Sequence, residues 1–101
     1  LYDNGTFSVV EAAWFGVPSV SSDYPAMREI ESRFGVPLEY FEATDPDTLA
    51  AALARMLEAP DVARARLPGR ERLRRHSFEA TAPGYWSAFR DAVLDAQRPP
   101  A

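Results

Sequence analysis

The sequence predicts an α/β fold, with short parallel strands flanked by helices. Two observations lead there. Residues 7–15 (FSVVEAAWF) form a compact apolar segment ended by Gly16 and followed at once by a β-branched, serine-rich run, residues 17–22 (VPSVSS). A helix, a glycine turn and a short strand in that order make one αβ unit of a parallel sheet. From Ala43 onward the chain is rich in alanine, arginine and acid, the composition of amphipathic surface helices.

Each element has a local signal. Gly16 stops the first helix because it accepts a left-handed backbone without a Cβ penalty, and Thr6 or Ser8 is the expected cap at its start. Pro18 stands at the entrance of the first strand, where a strand tolerates it. Asp23-Tyr24-Pro25 reads as a turn at a strand's carboxyl end, where open α/β sheets place ligands, with a minor contact role as its alternative; residues 26–34 read as a helix ending at Gly35, and residues 38–41 as a second strand. Asp45-Pro46-Asp47 opens a helix over 48–57, with proline in the first turn and acids at the positive end of the dipole. Leu49, Leu53, Met56 and Leu57 share one of its faces, and Pro60 ends it. Residues 62–75 are helical and arginine-bearing, with a break at Pro68-Gly69. The last helix, residues 82–97, carries Tyr85, Trp86, Phe89, Val93 and Leu94 at helical spacing, a stripe expected to dock on the rest of the domain.

Composition bounds the function. A chain of 101 residues suits one small domain at most. With 47% hydrophobic residues it is not a disordered chain. It has no cysteine, which excludes disulfides, thiolate metal sites and a catalytic thiol. The single histidine, His76, makes no metal site and reads as a surface residue. No apolar run reaches the ~20 residues of a spanning helix. The formal charge of −4 argues against a nucleic-acid binder, and the run Arg64, Arg66, Arg70, Arg72, Arg74, Arg75 reads as a solvated helix face broken by Glu71. Ser19, Ser21 and Ser22 lack the sharp turn of a hydrolase nucleophile.

Glu11 is the ionisable residue that stands alone between Asp3 and Asp23. Its neighbours Val9, Val10, Ala12, Ala13, Trp14 and Phe15 predict a largely buried helix. A buried carboxylate without a partner is costly. Two answers satisfy it: an internal protein partner, or the adjacent hydroxyls of a ribose, which a carboxylate accepts as it does in dinucleotide-binding folds. Asp3-Asn4-Gly5-Thr6 is a turn-forming loop feeding a helix start, a geometry suited to phosphate.

These residues carry a resemblance. Asp3-Asn4-Gly5-Thr6-Phe7-Ser8-Val9-Val10-Glu11-Ala12, followed by Gly16-Val17-Pro18-Ser19-Val20-Ser21-Ser22, resembles the donor-binding motif of retaining GT-B glycosyltransferases, especially glycosyltransferase family 4. That pattern is an acid, seven residues, a second glutamate, then a glycine-x-proline strand. Asp3 and Glu11 stand at the two acid positions. The order of helices that follows is also similar to the end of that family's C-terminal domain, although residues 3–22 alone are specific; there the final helix often packs back toward the N-terminal domain, which would leave part of the stripe of residues 82–97 exposed here. The first acid is Asp where the family usually has Glu, and Asn4-Gly5-Thr6 replaces a glycine-aromatic-glycine. Both departures fall at the sugar end of the motif.

The resemblance implies the C-terminal portion of a Rossmann-like domain of a GT-B enzyme. It implies a hexosyltransferase-like activity with a UDP-, GDP- or ADP-sugar as donor. Glu11 would hold the ribose hydroxyls. Asp3 would act at the donor sugar, and Asn4, Gly5, Thr6, Phe7 and Ser8 would line the sugar and diphosphate. No cofactor or essential metal is implied. The acceptor is a glycan, a lipid or a small molecule, and the enzyme is cytoplasmic or peripheral at the inner face of the membrane. The chain begins without a methionine, so residues 1–101 are expected to be part of such a domain, lacking the acceptor-binding N-terminal domain and inactive alone. The rival reading is a non-catalytic α/β binding or regulatory module whose Glu11 is paired internally.

Overall fold

The computed structural model describes residues 5–100. It has the α/β class expected, in the order α1 (Ser8–Trp14), β1 (Ser19–Ser22), α2 (Pro25–Phe34), β2 (Leu38–Phe41), α3 (Pro46–Glu58), α4 (Pro60–Ala65), α5 (Arg70–Arg74) and α6 (Phe78–Ala96). β1 and β2 pair in parallel, Val20 opposite Glu39 and Ser21 opposite Tyr40, with α2 as the crossover.

Glycine ends both α1 and α2. Past α1, Gly16 at φ 73° donates to the carbonyl of Ala13 and Val17 donates to that of Ala12, which closes a Schellman motif. Val17 and Pro18 are spent on that exit, so β1 starts at Ser19 and not at Val17. α2 starts at Pro25, where the fixed φ of proline suits the first helical position. Neither Thr6 nor Ser8 caps α1. The chain enters through Phe7, already in helical conformation, so Thr6 stands one residue too early, and its Oγ1 accepts the Ser8 N–H at 3.2 Å instead.

Side-chain alternation along β2 builds three layers. Leu38 and Tyr40 pack on a cluster of Val9, Ala13, Met27, Ile30, Phe34, Val36 and Leu73, drawn from α1, α2, α5 and the connection before β2. Glu39 points the other way and pairs with Arg55 of α3 at 3.1 Å. The Glu31 carboxylate of α2 accepts the Leu38 N–H at 2.8 Å, which pins the start of β2. On α3 the expected apolar face is only partly used. Ala52 is the buried residue, Leu49 and Met56 are half-buried, and Leu53 and Leu57 face solvent.

Two prolines are placed differently from the reading of the sequence. Pro60 does not merely end α3; it starts α4, and Ala59 caps both helices. Pro83 lies inside α6, which begins at Phe78, because the Ser77 side chain accepts the Ala80 N–H at 3.2 Å and fixes an earlier start. The break at Pro68-Gly69 is present between α4 and α5.

The last helix does not dock on the described residues, and its stripe is left exposed, as the resemblance implied for part of it. Apart from half-buried Thr81, every residue of α6 is exposed. The apolar groups that could receive its stripe, Ile30, Phe34 and Leu73, are already packed on one another, and His76 closes that cluster edge-on against Phe34 with ring centroids 4.7 Å apart. α6 therefore projects, and the molecule measures 63 × 32 × 15 Å. Among the described residues, no helix is long and apolar enough to cross a membrane.

Candidate functional site

The two strands run the same way, so Asp23 after β1 and Glu42 after β2 both lie at the carboxyl edge of the sheet. The loop before α1 reaches that edge too. The Thr6 N–H donates to Met27 Sδ at 3.5 Å, and Gly5 lies against Ala26 and Ile30, all within or just after the first turn of α2. Gly5 has φ 89°, and a Cβ there would stand 2.5 Å from Ile30 Cδ1. A side chain is disfavoured by the backbone conformation, and the Ile30 side chain would have to shift to admit one.

Of the residues expected to form the donor site, Asp3 and Asn4 lie outside the described residues. Gly5 and Thr6 form the loop, Phe7 the helix entry, and Ser8 and Glu11 the first turn of α1. Thr6 Oγ1 and Ser8 Oγ are 3.0 Å apart, two hydroxyls held side by side in solvent. Phe7 is largely exposed and meets Phe34 edge-on at 5.6 Å.

Glu11 is not buried. α1 turns Val9 and Ala13 inward and half-buries Val10 and Trp14, which leaves Glu11 on the solvent side. The apolar residues around it misled because Phe7, Phe15 and Val17 are themselves exposed. Among the described residues no hydrogen bond or ion pair reaches its carboxylate. The carboxylate is open to an external donor.

A second feature of this edge centres on Asp23, whose turn reads in the sequence as at most a minor contact. Arg28 donates twice to Asp23, at 2.8 and 2.7 Å, while its guanidinium stacks 3.7 Å above the Tyr40 ring. The hydrogen bonds from Arg28 hold the Asp23 carboxyl below the usual carboxylate range, and Asp23 in turn raises the Arg28 guanidinium. Burial, reinforced by the Glu31 charge, pushes the Tyr40 phenol up to about 12. The two strand ends, with α3, enclose an open cleft of about 280 Å³ lined by Asp23, Tyr40, Phe41, Glu42, Thr48 and Arg55. The available signal was an aspartate two residues before a helix-starting proline, with arginine in the first turn after it.

The remaining candidates are structural. The Ser21 hydroxyl is buried and donates to the Ser22 carbonyl at 2.9 Å. Arg70 donates to the Trp14 carbonyl at 3.0 Å and stacks over its ring, while Arg64 and Arg74 pair with Asp61 and Glu71 on their own helices. Comparison with family models, with curated proteins and with solved structures finds no match for this chain.

Proposed function

We propose that the chain is the donor-binding part of a retaining GT-B glycosyltransferase, of the family 4 type, and holds a nucleotide-diphospho-sugar. The observation that carries this reading is Glu11. Its carboxylate stands in solvent on the first turn of α1, unpaired among the described residues. It lies in a motif spaced as that family's acid pair is, and its helix starts at the carboxyl edge of a parallel sheet, where open α/β sheets receive ligands. Such a carboxylate accepts hydrogen bonds from both ribose hydroxyls, and the bonds are charge-assisted.

In this reading the chain belongs to the C-terminal portion of a Rossmann-like domain. Asp3 acts at the donor sugar, and Asn4, Gly5, Thr6, Phe7 and Ser8 line the sugar and diphosphate. The bond between the anomeric carbon and the diphosphate oxygen breaks and a bond to an acceptor hydroxyl forms, with configuration retained and no essential metal. Amides at the helix start and basic groups from outside residues 1–101 stabilise the leaving diphosphate. A separate N-terminal domain brings the glycan, lipid or small-molecule acceptor, and the enzyme works in the cytoplasm. The rival, a non-catalytic module with Glu11 paired internally, finds no such partner among the described residues.

Titration of the chain with UDP, GDP and ADP, followed by amide chemical shifts, tests the reading. One of the three is expected to move the signals of Thr6, Phe7, Ser8 and Glu11, at the millimolar affinity that half a site gives (about −4 kcal/mol). Shifts scattered over α3 and α6, or none with any of them, would contradict it.

A further inference from the structure

The amino edge of the sheet, opposite the loop before α1, gathers charge of one sign around an apolar tip. Gly16-Val17-Pro18 leads into β1 and Gly35-Val36-Pro37 leads into β2. Arginines from α4, α5 and the end of α4 reach both turns. Arg66 shares a cleft with Pro18, Pro37 and Val62. The Arg72 guanidinium lies against Gly35, while those of Arg70 and Arg74 lie over the Trp14 ring. In residues 60–75 six arginines meet two acids, Asp61 and Glu71, whereas the rest of the chain holds thirteen acids and five arginines. Both of those acids are taken, by Arg64 and Arg74. Among the described residues no hydrogen bond or ion pair engages Arg66 or Arg72.

Apolar side chains stand among these guanidinium groups. Phe15 is 74% exposed and Val17 52%, on either side of the Gly16 turn, and Val62 is 49% exposed beside Arg66. Arginines around an aromatic tip are complementary to an anionic bilayer. The guanidinium groups pair with lipid phosphates, and the apolar side chains enter the boundary between headgroups and acyl chains. Each basic residue close to an anionic leaflet is worth about fivefold in affinity. A nucleic acid would match the charge but would offer Phe15 and Val17 no apolar phase. Strands added beside β1, or a domain facing the carboxyl edge, extend the fold in other directions, so the donor-site reading also leaves this edge open.

We infer that the amino edge of the sheet docks on an anionic phospholipid bilayer, with Phe15 and Val17 inserted and Arg66 and Arg72 on the phosphates. The inference does not depend on the donor-site reading, since the two surfaces lie at opposite edges of the sheet.

Sedimentation of the full chain with vesicles tests it. Vesicles of phosphatidylcholine with about one third phosphatidylserine should carry the chain down, and vesicles of phosphatidylcholine alone should not. Arg66→Gln combined with Arg72→Gln should weaken binding about thirtyfold. Arg90→Gln combined with Arg98→Gln removes the same charge from α6 and its end, and should stay within about twofold of the native chain. Phe15→Ser, at an exposed position, should weaken binding about tenfold. In Trp86→Phe the remaining tryptophan is Trp14, next to Phe15. Phosphatidylserine brominated on its acyl chains should quench its fluorescence. Circular dichroism checks that each variant keeps its helices. No binding, equal binding to both vesicles, equal loss in the two arginine pairs, or native binding by Phe15→Ser would each overturn the inference. So would unquenched Trp14, or binding to duplex DNA in place of vesicles.

Discussion

Gly5 and Glu11 flank the start of α1 and obey opposite rules. At Gly5 a left-handed backbone disfavours any side chain, and Ile30 would have to give way to one. Gly5→Ala is therefore expected to cost roughly 1–3 kcal/mol, read as a lower urea midpoint, although the lost group carries no chemistry. Glu11 faces solvent, so Glu11→Ala should change the urea midpoint by less than about 0.5 kcal/mol while weakening the nucleotide response. Asp23 adds a pH signature. Its carboxyl is depressed below 3.8 by Arg28, so the stability it contributes is present above that value and is lost as pH falls through the lower folded pKa. Acid titration of the unfolding midpoint should show this fall below about pH 4, and Asp23→Asn should flatten it. At this scale the identity of Glu11 as the odd residue of its helix was legible in sequence. Its exposure was not, because apolar neighbours do not reveal which of them will find a partner.

The existence of the main elements was legible because single residues punctuate them: Gly16 and Gly35 as stops, Asp45 as a start. Boundaries were lost where one residue serves two roles. Pro60 both ends α3 and starts α4, and Pro83 concealed the start that Ser77 sets. The caps give a graded prediction. Asp45 accepts the Asp47 N–H at 3.0 Å on a helix packed against β2, so Asp45→Ala should lower global stability by about 1 kcal/mol. Ser77 caps a helix that stands off the core, so Ser77→Ala should reduce far-UV helicity and leave the urea midpoint of the core nearly unchanged. Equal shifts in that midpoint would contradict the separation of α6 from the core.

For the molecule as a whole, hydrophobic period identified faces but not what covers them. The α1 and α2 faces meet in one cluster, whereas the α6 stripe is left exposed among the described residues. The carboxyl edge of the sheet, with the loop before α1, Glu11 nearby and the ion pair of Asp23 and Arg28, is the part of the architecture suited to a ligand, and the donor-site reading rests on Glu11 binding the ribose there. The most direct test compares a nucleoside diphosphate with its 2′,3′-dideoxy analogue, on the native chain and on Glu11→Ala, by chemical-shift titration. The native chain should lose roughly ten- to a hundredfold in affinity for the analogue, the 1.5–3 kcal/mol of hydrogen bonds to a charged group, and Glu11→Ala should bind both equally and weakly. Equal binding of both nucleotides by the native chain, or the same loss in Glu11→Ala, would contradict the account.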